Sequence, residues 1–378
     1  MDRVSLMEDF ANLNKDETIR LLKRITETPA PSNDEGKRAE FLKAWFSEEG
    51  IKGAFVDDVL NVVYPMGDNG TNDVVIFMAH SDTVFPDTNT IPIIEKDGLL
   101  HAPGIGDNSA NLTNMLMAIK FISENNFKPK DGLAIIFAAT SGEEGLGNLK
   151  GCRALCERYK GRIKEVIGLD GSMNGIVDNA VGSHRYRVSV YTEGGHSYGS
   201  FGNRNAIHYL AAMVNSLYLI QVPKSAKTTY NVGMIEGGTS VNTIAENASM
   251  LYEFRSESVE CLKIMEDYFE SVVDSYKKSG IKVEVETLGI RPCKDGVDKN
   301  ALDELRTRNI AIMKKYYDGD IKVGAGSTDS NIPLSMGIPS VTFGTRMGSG
   351  AHTRAEYVDP ESFVPGQKIA LSAILNYF

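Results

Sequence analysis

Four short runs of apolar residues, 74–79, 133–139, 166–169 and 340–343, show no polar alternation, and they restrict the fold more than any other feature. A half-buried strand alternates with period two, whereas a strand that is apolar throughout must be covered on both faces; the runs are also too short for buried helices. Helical patterns at 109–124, 146–159 and 301–317 supply covering layers. Two more, at 15–28 and 34–49, flank the breaker run Pro29-Ala30-Pro31-Ser32-Asn33-Asp34. These patterns predict an α/β fold in which a mixed sheet is sandwiched by helices.

Between residues 184 and 288 the pattern changes. Strands are expected at 186–192, 229–235, 249–255 and 281–286, with helices at 205–219 and 260–278. The order β-α-β-β-α-β is the ferredoxin-like motif, which folds as a unit of its own. Because α/β material resumes after Pro292, this unit reads as an insertion. The 378 residues also exceed the roughly 250–300 that one core supports. The expected division is 1–183 with 292–378 as a discontinuous domain, and 184–291 as an inserted α+β domain. Inserted domains favour hinge motion and clefts.

Fifty acidic residues against forty basic ones give a net charge of -10, and no basic patch offsets it. Such a chain repels phosphate backbones and anionic membrane surfaces, so neither nucleic acid nor membrane is an expected partner. Residues 1–14 lack an apolar segment flanked by basic residues, and no uninterrupted apolar stretch is long enough to span a bilayer; a cytoplasmic location is expected. Cys152, Cys156, Cys261 and Cys293 form no disulfide framework, and no second pair follows Cys152 and Cys156 at zinc-finger spacing.

The first run ends in His80-Ser81-Asp82, and a two-residue spacing on extended chain puts both side chains on one side. One ring nitrogen of His80 can then hold a metal while Asp82 orients the other. Gly104-Ile105-Gly106-Asp107-Asn108 sets a carboxylate in a glycine-flanked turn. Thr140-Ser141-Gly142-Glu143-Glu144-Gly145 follows the second run, Asp170-Gly171-Ser172 the third, and a glycine-rich loop from Gly344 to His352 the fourth. Each alone has an ordinary reading as a surface pair, a helix cap or a solvated helix start. Together His80, Asp107, Glu144, Asp170 and His352 gather where open α/β folds place their sites.

Charge counting supports two divalent cations: their four positive charges balance Asp107, Glu144, Asp170 and a bridging hydroxide. Two metals ~3.5–4 Å apart lower the pKa of a shared water toward ~7 and polarise a carbonyl. Glu143, not needed for neutrality, is the candidate general base.

With His80-Ser81-Asp82-Thr83-Val84, Gly106-Asp107-Asn108, Glu143-Glu144, Asp170 and Ala351-His352 in this order, nearly the whole chain resembles the dinuclear-zinc exopeptidases and deacylases. That family includes peptidase T, aminoacylase and glutamate carboxypeptidase, and peptidase T-like members are the nearest in character. The resemblance implies the zinc exopeptidase fold, with residues 184–291 as lid and dimerisation domain of a homodimer. It implies two zinc ions, with cobalt or manganese as alternatives: His80 and Asp170 on one, Glu144 and His352 on the other, Asp107 bridging. Glu143 would activate water, Asp82 would orient His80, and a cis peptide would join Asp107 to Asn108.

By the same resemblance His196 in Gly194-Gly195-His196 would stabilise the oxyanion, often across the dimer interface, while Asn242 and Arg255 would hold a substrate carboxylate. Arg255 as an ion pair within the lid is the alternative. The implied substrate is a small peptide or an N-acyl amino acid. Aminopeptidase action on tripeptides leads, deacylase or carboxypeptidase action is the alternative, and a non-catalytic peptide-binding protein is a remote third. Two departures bear on substrate: Asn108-Ser109-Ala110-Asn111 stands where many members carry Asp or Met and then Lys-Gly, and Arg346 occupies the loop before His352. His101, His184 and His208 match no ligand position and are expected to be structural.

Overall fold

The structure, a computed structural model, describes residues 3–378. Strands of the two larger sheets are numbered along the chain. The first six of these are β1 (Phe55–Val56), β2 (Val62–Met66), β3 (Asp73–His80), β4 (Leu133–Thr140), β5 (Ile163–Leu169) and β6 (Gly175–Ala180). Next come β7 (Gly182–Tyr191), β8 (Thr228–Gly237), β9 (Asn247–Ser256) and β10 (Lys282–Arg291), followed by β11 (Lys322–Gly326) and β12 (Ser340–Phe343). The helices are α1 (Arg3–Leu13), α2 (Lys15–Glu27), α3 (Gly36–Glu48), α4 (Asn111–Glu124), α5 (Lys150–Arg158), α6 (Ala206–Leu217), α7 (Val259–Lys278), α8 (Lys299–Tyr316), α9 (Asn331–Ser335) and α10 (Phe363–Leu375).

Two compact units result: the residues up to Ala180 with Asp295–Phe378, and Val181–Lys294. In the first, eight strands form one mixed sheet in the order β1-β2-β4-β3-β5-β12-β6-β11. Successive residues of β3 enter different cores. Val75, Phe77 and Ala79 pack with α1, α4, α8 and α10, whereas Val74, Ile76 and Met78 pack with Cys152, Leu155 and Cys156 of α5. That is why the run has no polar alternation. Phe77 is fully buried and stacks on Phe137 at 5.9 Å between ring centroids; burial of such a side chain contributes about 1.5–3 kcal/mol.

Strands β4, β3, β5 and β12 are adjacent and mutually parallel. Their carboxyl ends therefore open on one edge of the sheet. Register does the rest: His80 pairs with Thr140, and Phe343 with Leu169, so the loops beginning at 141, 170 and 344 start side by side. A small sheet adds the remaining piece by pairing Leu100 with Val358 and His101 with Tyr357, which carries the segment around residue 356 to the turn at 104–107.

The second unit has the order β7-α6-β8-β9-α7-β10, with an antiparallel sheet ordered β8-β9-β7-β10. Val188, Val190, Met250 and Phe254 pack against Leu210, Met213, Met265 and Phe269 of its two helices. It is slightly wider than 184–291, since β7 and β10 run on and still pair at Ser183 and Arg291.

Several elements differ from expectation. The helix expected from 146 begins at Lys150, because the chain first closes tight turns in which Gly147 N donates to Glu144 O and Leu149 N to Gly142 O. A six-residue π-type turn, Ile105–Ala110, precedes α4. Strands β2, β6 and β11 and helices α1 and α10 have no expected counterpart: their apolar residues are interrupted, as by Pro365 and Gly366 in α10. Gly366 is required by close approach, since a Cβ there would lie 1.7 Å from Thr345 O. Among the described residues no helix is long and apolar enough to cross a membrane.

Candidate metal centre

The five side chains singled out at strand ends converge. His80 Nε2 lies 3.0 Å from Asp107 Oδ1 and 4.0 Å from Asp170 Oδ1. His352 Nε2 lies 3.2 Å from Asp107 Oδ2 and 3.0 Å from Glu144 Oε1. The two oxygens of Asp107 thus face different histidines. Ligating atoms of His80, Asp107 and Glu144 all fall within 4.8 Å of one another. His352 has φ 64°, an uncommon backbone conformation outside glycine, and the Asp107–Asn108 peptide is cis.

Crowding splits the acidities of these carboxylates. Burial and then the Asp107 charge push Glu144 up to about 7, and the same causes raise Asp170. Burial also acts to raise Asp107, but hydrogen bonds from His352 and His80 outweigh it and hold this carboxyl well below its usual range. In return the bond to Asp107 raises His352 to about 9. Burial works to lower His80, yet Asp107 and Asp82 raise it. Imidazolium protons therefore stand where a cation would sit among the carboxylates. Two imidazole nitrogens and three carboxylates form a donor set that fits a pair of divalent ions such as zinc, cobalt or manganese.

A metal has to displace those protons. Below about 9 His352 carries one, and below about 7 Glu144 does as well, so affinity for a divalent cation rises with pH and falls as pH drops through these two values. Titration calorimetry near pH 7.5, in buffers of different ionisation enthalpy, is expected to register release of about one proton or more per chain. Release of none would contradict the ligand set.

Asp82 organises the inner side of this cluster. Its Oδ1 accepts Glu143 N at 3.0 Å and its Oδ2 accepts Glu144 N at 2.9 Å and Ser32 Oγ at 2.6 Å. His80 Nδ1 lies 3.2 Å from Asp82 O and 3.5 Å from its Oδ1. Arg38, buried on α3, donates to Ser81 O at 2.8 Å and to Thr28 O, and its charge acts on Asp82. The breaker run at 29–34 is thus the strut that holds Asp82, with Thr83 N donating to Ala30 O.

The outer side is held by asparagines and Glu356. Asn108 Nδ2 donates to Leu169 O; Asn111 Nδ2 donates to Asn108 Oδ1 and Gly171 O, while its Oδ1 accepts Thr345 N and Oγ1. Asn114 Nδ2 donates to Thr345 O. The segment at 108–111 that departs from the family pattern therefore ties the Asp107, Asp170 and His352 loops together. Glu356 accepts Gly104 N, Gly106 N and Asp107 N at 2.7–2.8 Å.

Ser32, Arg38, Asn111 and Glu356 carry no local signal of such roles. One further loop has the placement of the others: Gly326-Ser327-Thr328-Asp329 follows β11 as the other carboxylates follow their strands, and Thr328 and Asp329 line a small cavity with His80, Glu143 and Asp170. The glycines of Lys-Val-Gly-Ala-Gly conceal that strand in the sequence.

The remaining expected residues lie in the second unit. His196 sits on a two-residue strand paired with Thr243–Ile244, and its Nδ1 accepts Tyr198 N and Gly199 N at 3.3 Å. Asn242 O accepts Ser197 N, and its Oδ1 accepts Ser240 Oγ. Arg255 makes a two-pronged ion pair with Glu253 at 3.1 Å. His184 stacks near Phe254 and meets Tyr186 Oη, His101 lies against Tyr357, and His208 lies against Tyr209.

A parallel strand edge bearing a histidine–carboxylate cluster has the donors of a metal-dependent hydrolase, and the family that the chain matches makes the cleaved bond an amide. Residues 76–376 match the model of peptidase family M20/M25/M40, and the chain belongs to that family. It is 24% identical to the uncharacterized protein YqjE of Bacillus subtilis, over 93% of this chain and 95% of that one. It is 23% identical to the succinyl-diaminopimelate desuccinylase of Corynebacterium glutamicum, over 89% and 90%. The fold matches a tripeptidase from Staphylococcus aureus with a TM-score of 0.75 at 22% identity, over 96% of this chain and 98% of that one. Aminopeptidase PepT from Bacillus cereus matches with a TM-score of 0.69 at 24% identity, over 96% and 98%.

Proposed function

We propose that the chain is a two-zinc exopeptidase that removes the N-terminal residue of short peptides, tripeptides foremost. The observation that carries the dinuclear reading is the division of the Asp107 oxygens between His80 and His352, as a bridging carboxylate requires. On this reading His80 and Asp170 would hold one cation, and Glu144 and His352 the other. Held there, the cations would supply a water of lowered pKa and a polarised scissile carbonyl. Glu143, 6% exposed, takes the proton from the attacking water and returns it to the leaving amine nitrogen as the C–N bond breaks. Asp82 keeps Glu143, Glu144 and His80 in place through the contacts above.

His196 is assigned to the oxyanion, and Asn242 and Arg255 to a substrate carboxylate, the last having to loosen its fork with Glu253. A homodimer through the second unit is part of the proposal; edge strand β8 and the exposed Tyr198 and Phe201 support it. The four free, buried cysteines suit a reducing cytoplasm.

Desuccinylases among the relatives favour one second reading, an N-acyl amino acid deacylase or carboxypeptidase. Hydrolysis of a free tripeptide is to be compared with that of its N-acetylated and C-amidated forms. The free peptide is expected to react fastest. A strict need for an acylated N-terminus would replace the aminopeptidase reading by the deacylase, cleavage of a residue from the C-terminal end by the carboxypeptidase, and no turnover of any by a peptide-binding role.

A further inference from the structure

We propose that Arg346 is a positioning residue of the metal centre, acting with Glu356 as a buried charge pair across Gly106 to fix the turn of Asp107 and the loop of Asp170. The proposal rests on the two-metal reading above. Arg346 is 4% exposed, and its Nε has no hydrogen-bond partner among the described residues. A guanidinium so buried is costly unless fixed charges nearby compensate it. Two carboxyl groups lie nearby: the Arg346 charge acts on Asp170, and Glu356 stands on the other side of the Gly106 Cβ position.

The crowding at Gly106 defines the arrangement. A Cβ there would lie 2.9 Å from Arg346 Cζ and 3.0 Å from Glu356 Oε1. The two groups are therefore within about 6 Å of each other, close enough for opposite charges to stabilise one another. They press on the residue that immediately precedes Asp107. From that position Glu356 accepts three consecutive-turn amides, from Gly104, Gly106 and Asp107 itself. The backbone at Arg346 is tied the other way, its carbonyl accepting Met173 N at 3.0 Å, three residues beyond Asp170. The residue thus stands between the turn of Asp107 and the loop of Asp170.

Beyond the five clustered side chains, Glu356, 1% exposed, places one more carboxyl beside the Asp107 turn, and Arg346 brings a cationic group to the same turn. The inner side repeats the device, with buried Arg38 beside buried Asp82.

The test compares wild type with R346M, E356Q, the double variant and R346K, reading zinc affinity by competition with a chromophoric chelator and separating kcat from KM. R346M and E356Q are each expected to weaken zinc binding about 10–100-fold, the usual cost of removing an outer-shell partner. The double variant, with both charges gone, is expected to bind more tightly than the weaker single variant, and R346K to recover part of the loss through its charge. A space-filling role predicts that R346M, of similar volume, binds zinc like wild type, and that losses in the double variant add; either result overturns the proposal. Should R346M fail to fold, E356Q against R346K decides by the same affinities. A wild type that binds no zinc sinks the two-metal reading and this proposal together, whereas tight binding by both wild type and R346M sinks only the latter.

Discussion

Glu143→Ala is expected to retain about two metal ions per chain by elemental analysis while kcat falls about 10²–10⁴-fold, the range for loss of a general acid–base group. The separation follows from the geometry. Glu143 N donates to Asp82 Oδ1 at 3.0 Å, a backbone contact that alanine keeps, so Asp82 still holds Glu144 N and His80. Only the carboxylate is lost, and it is not one of the five converging ligands. Undiminished turnover would remove Glu143 from the mechanism; loss of metal along with turnover would make it a ligand.

Asp82→Asn should act on metal and fold together. The aspartate, fully buried, spreads two oxygens over Glu143 N, Glu144 N and Ser32 Oγ beside His80 Nδ1. An amide offers one acceptor oxygen and turns two N–H groups toward the other donors. It also removes the charge that faces Arg38. Metal affinity is expected to fall about 10–100-fold, and the metal-free protein to lose on the order of 3 kcal/mol, the cost of unsatisfied buried donors and an unmatched buried charge. Chelator competition and denaturant unfolding of the metal-free protein check the two effects. If both were unchanged, Asp82 would not be the hub of the cluster.

The sequence alone determined those features whose cause is local. An apolar run without alternation needs cover on both faces whatever surrounds it, and β3, β4 and β12 have it. A histidine or carboxylate placed just after such a strand is delivered to the sheet edge, as His80, Glu144 and Asp170 are. The last two strands of the sheet, β6 and β11, were illegible, because Gly-Ile-Val-Asp-Asn-Ala and Lys-Val-Gly-Ala-Gly become strands only by pairing, β6 with β12 and β11 with β6.

What only the tertiary structure decided is which group meets which. Glu356 closes on Gly106 from 250 residues away, Asn111 on Thr345 from 234, and Ser32 on Asp82 from 50. Parallel register and the small sheet set these meetings, and neither leaves a periodic mark. Arg346 shows the limit most clearly: the letters place an arginine in a glycine-rich loop, whereas its burial exists only because the hairpin that carries it and Glu356 closes on the distant turn at Gly106.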